Sequence, residues 1–141
     1  MKLTTKGRYA VMAMADLAIY QNGKPVSLVD ISLRQNISLS YLEQLFSKLK
    51  NEQLVKSVRG SSGGYVLEKN PKDIKLSNII FAVDEQVRTL NCKKESKRGC
   101  NGRTTKCITH NLWDDLEQHI NKFFDNVSLN DLLKKKHADI N

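Results

Sequence analysis

The spacing of apolar and polar positions divides the chain into several helices interrupted once by a pair of strands. From Thr4 or Thr5, either of which suits a helix N-cap, a helix runs to about Tyr20. Its Ala10, Val11, Met14, Leu17 and Ala18 cover more than one stripe, which predicts a largely buried element. Gln21-Asn22-Gly23-Lys24-Pro25 is a loop. Ser27 and Asp30 have the spacing of a capping box and start a short helix through about Arg34, with Asn36 in a tight turn after it. The next segment is the most regular. Leu42, Leu45, Phe46 and Leu49 recur at i, i+3, i+4 and i+7, one buried face. Ser38 or Ser40 caps it, and Ser40 with Glu43 has capping-box spacing.

Residues 54–58 read as a strand, Arg59-Gly60-Ser61-Ser62-Gly63-Gly64 as a flexible turn and Tyr65-Val66-Leu67 as the returning strand. Asn70-Pro71 opens a short turn. Ser77 is expected to cap a helix through about Asp84, with Leu76 and Phe81 spaced as a hydrophobic staple. Residues 91–106 have almost no apolar content and no period, a loop of unusual length. A long helix follows from about Thr109 to Asn126, with Leu112, Leu116, Ile120, Phe123, Phe124 and Val127 along its apolar stripe and Trp113 beside it. Ser128 with Asp131 caps a last short helix carrying Leu129, Leu132 and Leu133, and residues 134–141 read as a frayed tail.

Two short helices joined by a tight turn, followed directly by a β-hairpin, predict a mostly α, winged helix-turn-helix fold with a small two-stranded wing. Residues 1–70 form this winged-helix region and 71–91 a connecting helix; residues 92–110 are a cysteine-rich loop and 111–133 dimerisation helices, all within one folded unit. The polar side of the second helix carries Ser40, Tyr41, Glu43, Gln44, Ser47 and Lys48, with Ser38 before it. Gln44 is suited to an adenine edge, Glu43 to cytosine N4, and Ser40 to a base or a phosphate. Arg59 at the hairpin tip suits a narrow minor groove, and Gly60 beside it allows close backbone approach. A solvated helix face would explain the polar stripe alone. The turn, the hairpin and Arg59 together favour double-stranded DNA as partner.

The 141 residues suit one domain, 40% of them hydrophobic and 27% charged. The formal net charge of +8 agrees with a polyanionic partner. It is uneven: residues 1–60 carry net +5, 61–91 zero, 92–110 net +5 and 111–141 net −2. The apolar run Ala10 to Ala15 ends at Asp16, too short for a membrane span, so a cytoplasmic chain without a membrane partner is expected. No nucleotide-binding glycine motif, paired carboxylate near the cysteines or Cys-x-x-Cys is present, so neither an enzyme nor a small-molecule substrate is expected.

The three cysteines, Cys92, Cys100 and Cys107, fall within 16 consecutive residues, and His110 follows Cys107 by three. An odd count argues against a disulfide framework. The clustering points to a ligand. Structural zinc sites usually pair cysteines two to four residues apart, and the gaps here are seven and six. A two-iron cluster needs four protein ligands, of which histidine can supply some; three cysteines leave one short, and His110 can supply it. Zinc, or three free thiols in a basic linker, are the alternatives.

The chain resembles the IscR family of bacterial iron–sulfur-cluster-sensing transcription regulators. The likeness rests on Lys2-Leu3-Thr4-Thr5-Lys6-Gly7-Arg8-Tyr9-Ala10-Val11 and on Ile37-Ser38-Leu39-Ser40-Tyr41-Leu42-Glu43-Gln44-Leu45-Phe46. Ser57-Val58-Arg59-Gly60 with Gly63-Gly64-Tyr65, Ala82-Val83-Asp84-Glu85 and Cys107-Ile108-Thr109-His110 extend it to about residue 133. The cysteine gaps are longer than the family's, and Ser61-Ser62 stands where the family tends to have Pro-Gly. The resemblance implies a homodimeric repressor, at some sites an activator, of genes such as those for cluster assembly. It implies a 2Fe-2S cluster held by Cys92, Cys100, Cys107 and His110, and DNA contacts from Ser40, Glu43, Gln44 and Arg59. Relatives that sense nitric oxide or iron through a four-iron cluster are a second possibility within the superfamily.

Overall fold

The computed structural model describes residues 5–84 and 108–140. Helix α1 spans Thr5–Tyr20, α2 Leu28–Gln35 and α3 Leu39–Asn51; strand β1 covers Val55–Val58 and β2 Gly64–Leu67. A 3-10 turn at Pro71–Asp73 precedes α4, Leu76–Ala82. Beyond the cysteine segment come α5, His110–Asn126, and α6, Leu129–Ile140. This is the winged helix-turn-helix expected from the pattern, with a longer last helix: α6 continues to Ile140, past the point where the apolar pattern ended it.

The core gathers where α1, α2 and α3 meet. Met14 and Leu17 of α1, Ile31 of α2 and Leu42, Phe46 and Leu49 of α3 are all fully buried. Removing Phe46 to Ala would cost about 3–5 kcal/mol, the usual range for a buried aromatic. Ile74, Ile79 and Leu129 extend the core to α4 and α6. The last helix is stitched back by main-chain bonds: Leu76 N–H donates to Val127 O at 2.9 Å and Leu129 N–H to Ile74 O at 2.8 Å. The two halves of the described chain therefore share one core.

The wing is an antiparallel pair with Val55 opposite Leu67 and Val58 opposite Gly64. It gains a third partner at Val26, which exchanges two main-chain bonds with Tyr65 at 2.9 and 2.8 Å. Tyr65 also packs on Phe46, ring centroids 4.9 Å apart, so the wing is fixed to α3. A Cβ at Gly64 would run into the Val26 carbonyl, and one at Gly63 into the Val58 carbonyl. These two glycines therefore serve hairpin closure and the Val26 crossing, a use of close approach internal to the wing.

Two local expectations at α4 are corrected. Ser77 lies inside the helix; Lys75 holds the N-cap position, and its N–H donates to the Asn78 side chain at 2.9 Å. Leu76 is buried but Phe81 is 71% exposed, so no staple forms between them. The core takes Leu76, while Phe81 faces outward.

Candidate nucleic-acid interface

Each helix of the helix-turn-helix begins at a serine. Ser27 Oγ accepts from Asp30 N–H at 3.1 Å and starts α2. Ser38 Oγ accepts from Tyr41 N–H at 3.2 Å and starts α3, which settles the cap between Ser38 and Ser40. Ser40 is thereby left in the first turn, its Oγ 3.3 Å from Ser38 Oγ. Between the helices Asn36 adopts the left-handed conformation, φ 55° and ψ 48°, in which asparagine is tolerated. Ile37 N–H then reaches Ser32 O at 3.3 Å, and Ser32 Oγ donates to Ile37 O at 2.6 Å.

With Leu42, Leu45, Phe46 and Leu49 turned inward, Ser40, Glu43, Gln44 and Ser47 are exposed. Tyr41 is half-buried, its ring edge-on to Tyr9 at 5.8 Å, so it props α3 against α1. Lys48 forms an ion pair with Asp84 at 3.0 Å. Lys50 Nζ donates to Ser57 Oγ at 3.1 Å and ties α3 to the wing. At the wing tip Arg59, Gly60, Ser61 and Ser62 are exposed. Gly60 has φ +123°, open to glycine alone, and its carbonyl accepts from Gly63 N–H at 3.0 Å. An exposed row of amide, carboxylate and hydroxyl groups on α3 thus lies on the same subdomain as an exposed guanidinium on the wing.

One feature of this region escaped the apolar pattern. Asp16 is 1% exposed in α1. Its carboxylate accepts from Arg34 Nε at 2.9 Å, Arg34 Nη2 at 2.8 Å and Gln35 Nε2 at 2.9 Å. Arg34 also lies over the Tyr20 ring, 3.9 Å from its centroid. The hydrogen bond to Asp16 raises the guanidinium pKa above its ordinary value, against the opposing effect of desolvation. A carboxylate interrupting an apolar face was the available signal, but its partners lie 18 and 19 residues away.

A family model described as an iron-dependent transcriptional regulator, Rrf2, matches residues 3–135. The chain belongs to the Rrf2 family. It is therefore a transcriptional regulator and not an enzyme. The HTH-type transcriptional regulator IscR of Aliivibrio salmonicida is 54% identical over 133 residues, covering 94% of this chain and 77% of that one. The IscR of Pectobacterium carotovorum is 50% identical over 138 residues, covering 98% and 82%. Among solved structures, T. potens IscR superposes with TM-score 0.75 at 38% identity, covering 96% of this chain and 88% of that one. CymR, the global cysteine regulator of B. subtilis, does so with TM-score 0.80 at 32% identity, covering 96% and 98%.

In this Rrf2 protein the candidate iron ligands are divided by what the structure describes. Cys92, Cys100 and Cys107 lie outside the described residues. His110 is the first residue of α5 and is half-buried. Just before it, Thr109 Oγ1 accepts from Trp113 Nε1 at 3.0 Å, which fixes the opening turn. Among the described residues no three His, Cys, Asp or Glu side chains stand together as a metal site. Along α5 the apolar stripe splits: Phe124 and Val127 pack on the core, while Leu112, Leu116 and Phe123 are exposed. Among the described residues no helix is long and apolar enough to cross a membrane.

Proposed function

We infer that this Rrf2 chain acts as a homodimer of the IscR kind, which binds operator DNA and changes its choice of sites with the occupancy of a two-iron two-sulfur cluster. The observation that carries the DNA reading is the joint exposure of Ser40, Glu43 and Gln44 on α3 and Arg59 on the wing. Gln44 bonds an adenine edge, Glu43 accepts from cytosine N4, and Ser40 takes a base or a phosphate. Arg59 enters the minor groove beside the recognition site, with Gly60 giving the chain room to approach. Ser38 holds the helix start, Tyr41 props it, and Lys48 faces a phosphate when free of Asp84.

Dimerisation is supported by α5. Leu112 is 57% and Phe123 60% exposed, on a helix that already spends Phe124 on its own core. A second copy would cover that stripe and set two recognition helices apart along the duplex.

The donor set fits a two-iron cluster: three thiols and one imidazole make the four ligands it requires. Cys92, Cys100, Cys107 and His110 would hold it. When bound, the cluster supplies a redox-responsive group whose loss is a signal. The chain's own residues tune that site. Lys93, Lys94, Lys97, Arg98, Arg103 and Lys106 lie in the same segment of sequence and would offset the negative charge of a thiolate-bound cluster. His110 supplies an imidazole where the other three ligands are thiols, a mixed set that iron–sulfur centres tolerate. The iron-dependent family description and relatives named IscR support this reading. A cytoplasmic location goes with it, since operator DNA is there.

The test is anaerobic purification with iron, acid-labile sulfide, zinc and the visible spectrum measured per chain. Two irons and two sulfides per chain, lost in Cys92→Ser or His110→Ala, support the reading. Zinc without sulfide overturns the cluster and leaves a regulator whose signal is something else.

A further inference from the structure

Asp16 sits in the apolar layer of α1 between two fully buried residues, Met14 and Leu17. A carboxylate there is strongly unfavourable unless it is paired and hydrogen-bonded. Three N–H groups answer it, and all three come from the last two residues of α2. Arg34 is held from a second side by Tyr20, one helical turn beyond Asp16 on α1. The end of α2 is therefore gripped by α1 through directional contacts.

We propose that Asp16, Arg34, Gln35 and Tyr20 form a positioning clamp that sets the direction in which α3 presents Ser40, Glu43 and Gln44 to DNA. The clamp governs discrimination between sequences more than affinity for DNA in general. It rests on the DNA-binding reading above.

Apolar contacts hold α3 against the core, and they are non-directional; its own polar ties, Lys48 to Asp84 and Lys50 to Ser57, are exposed and weak. A guanidinium fork on a carboxylate accepts one coplanar geometry. Only residues 36–38 separate the clamp from the first residue of α3. Those residues are themselves tied back to α2 by the two Ser32–Ile37 bonds. A change in direction at Arg34 is thus carried to the helix start. Bidentate contacts to base edges are angular, so rotation of α3 weakens them first. Contacts to phosphate tolerate it better, because a charge on a flexible stem re-aims.

The experiment uses the full chain and two duplexes: one that the wild-type protein enriches from a random-sequence pool, and a scrambled duplex of equal length. Affinities for both are measured at several salt concentrations, alongside thermal unfolding. The variants are Arg34→Lys, which keeps the charge but loses the fork, Tyr20→Leu, and the double variant Asp16→Leu with Arg34→Met. The double variant replaces the ion pair by apolar side chains, an exchange that often preserves stability.

In Arg34→Lys and the double variant the ratio of selected to scrambled affinity falls by about tenfold, while scrambled affinity holds within about twofold. Tyr20→Leu shifts the ratio the same way by less. An unchanged ratio in Arg34→Lys overturns the proposal and reduces the clamp to a stability element. Equal loss on both duplexes in the double variant, with a shallower salt slope, makes Arg34 a phosphate contact and also overturns it. If the double variant fails to fold, Arg34→Lys and Tyr20→Leu decide the matter. If the wild type enriches no sequence, the DNA reading itself has failed.

Discussion

Lys48 of the recognition helix and Asp84 are joined by an ion pair of 3.0 Å, which links α3 to the last described residue before the cysteine segment. Asp84 reaches it from a left-handed backbone, φ 59°, just past the end of α4. The pair is exposed and contributes about 0–1 kcal/mol to stability, so its main effect is on where the Lys48 charge is spent.

Replacing Asp84 by Asn therefore frees Lys48 for phosphate. Affinity for any duplex should rise a few-fold, and the slope of log affinity against log salt should steepen by about one contact. Thermal unfolding should move little. Fluorescence anisotropy titrations at four salt concentrations check this; an unchanged slope would leave Lys48 no part in binding.

Gln44 and Arg59 should fail differently. Gln44→Ala should cost about 1–3 kcal/mol of discrimination at one base position and little on scrambled DNA. Arg59→Ala should cost about 1–3 kcal/mol on the selected duplex, most where the flanking sequence is A·T-rich. Competition binding against single-position variants of the selected duplex separates the two; a Gln44→Ala protein with unchanged base preference would refute the assignment.

The exposed stripe of α5 gives a prediction on assembly. Leu116→Asp or Phe123→Asp should convert a dimer to a monomer without unfolding it, because neither side chain belongs to the chain's own core. Sedimentation equilibrium gives the mass directly. A variant that remains dimeric would place the interface elsewhere, and a monomeric wild type would overturn the dimer.

The start of α6 should respond to acid. Ser128 N–H donates to the Asp131 carboxylate at 2.9 Å, and Asp131 N–H to Ser128 Oγ at 3.2 Å. The bond from the Ser128 backbone, then that from its hydroxyl, holds the Asp131 carboxyl below its ordinary value of 3.8. A lowered folded-state pKa means that the contribution is complete above the unfolded value. It is lost as pH falls through the lowered one. The Ser128 amide signal should therefore shift with a midpoint below 3.8 and stay flat in Asp131→Asn. A midpoint at or above that value would contradict the cap.

Much of this was legible in the chain. Ser27 and Asp30, Asn36, the Leu42–Leu49 stripe and the Gly-rich turn gave the helix-turn-helix and wing, because each depends on neighbours within one or two turns. The family likeness carried by Ile37 to Phe46 agrees with the Rrf2 match. Where several local choices compete, the pattern was less decisive. Ser77 and Lys75 both stood near the start of α4, and the fold chose the register that buries Leu76, Ile79 and Ile80. That choice turned Phe81 to the surface.

The sequence by itself determined the element order, the buried faces and the exposed polar row of α3, since periodicity and caps are local properties. Only the tertiary structure decided that Asp16 meets Arg34 and Gln35, that Lys48 meets Asp84, and that α6 returns to Ile74. These contacts join residues far apart in the chain. Charge and spacing do not specify such pairings; they follow from the packing of the core, which brings the carboxylates and cations within reach.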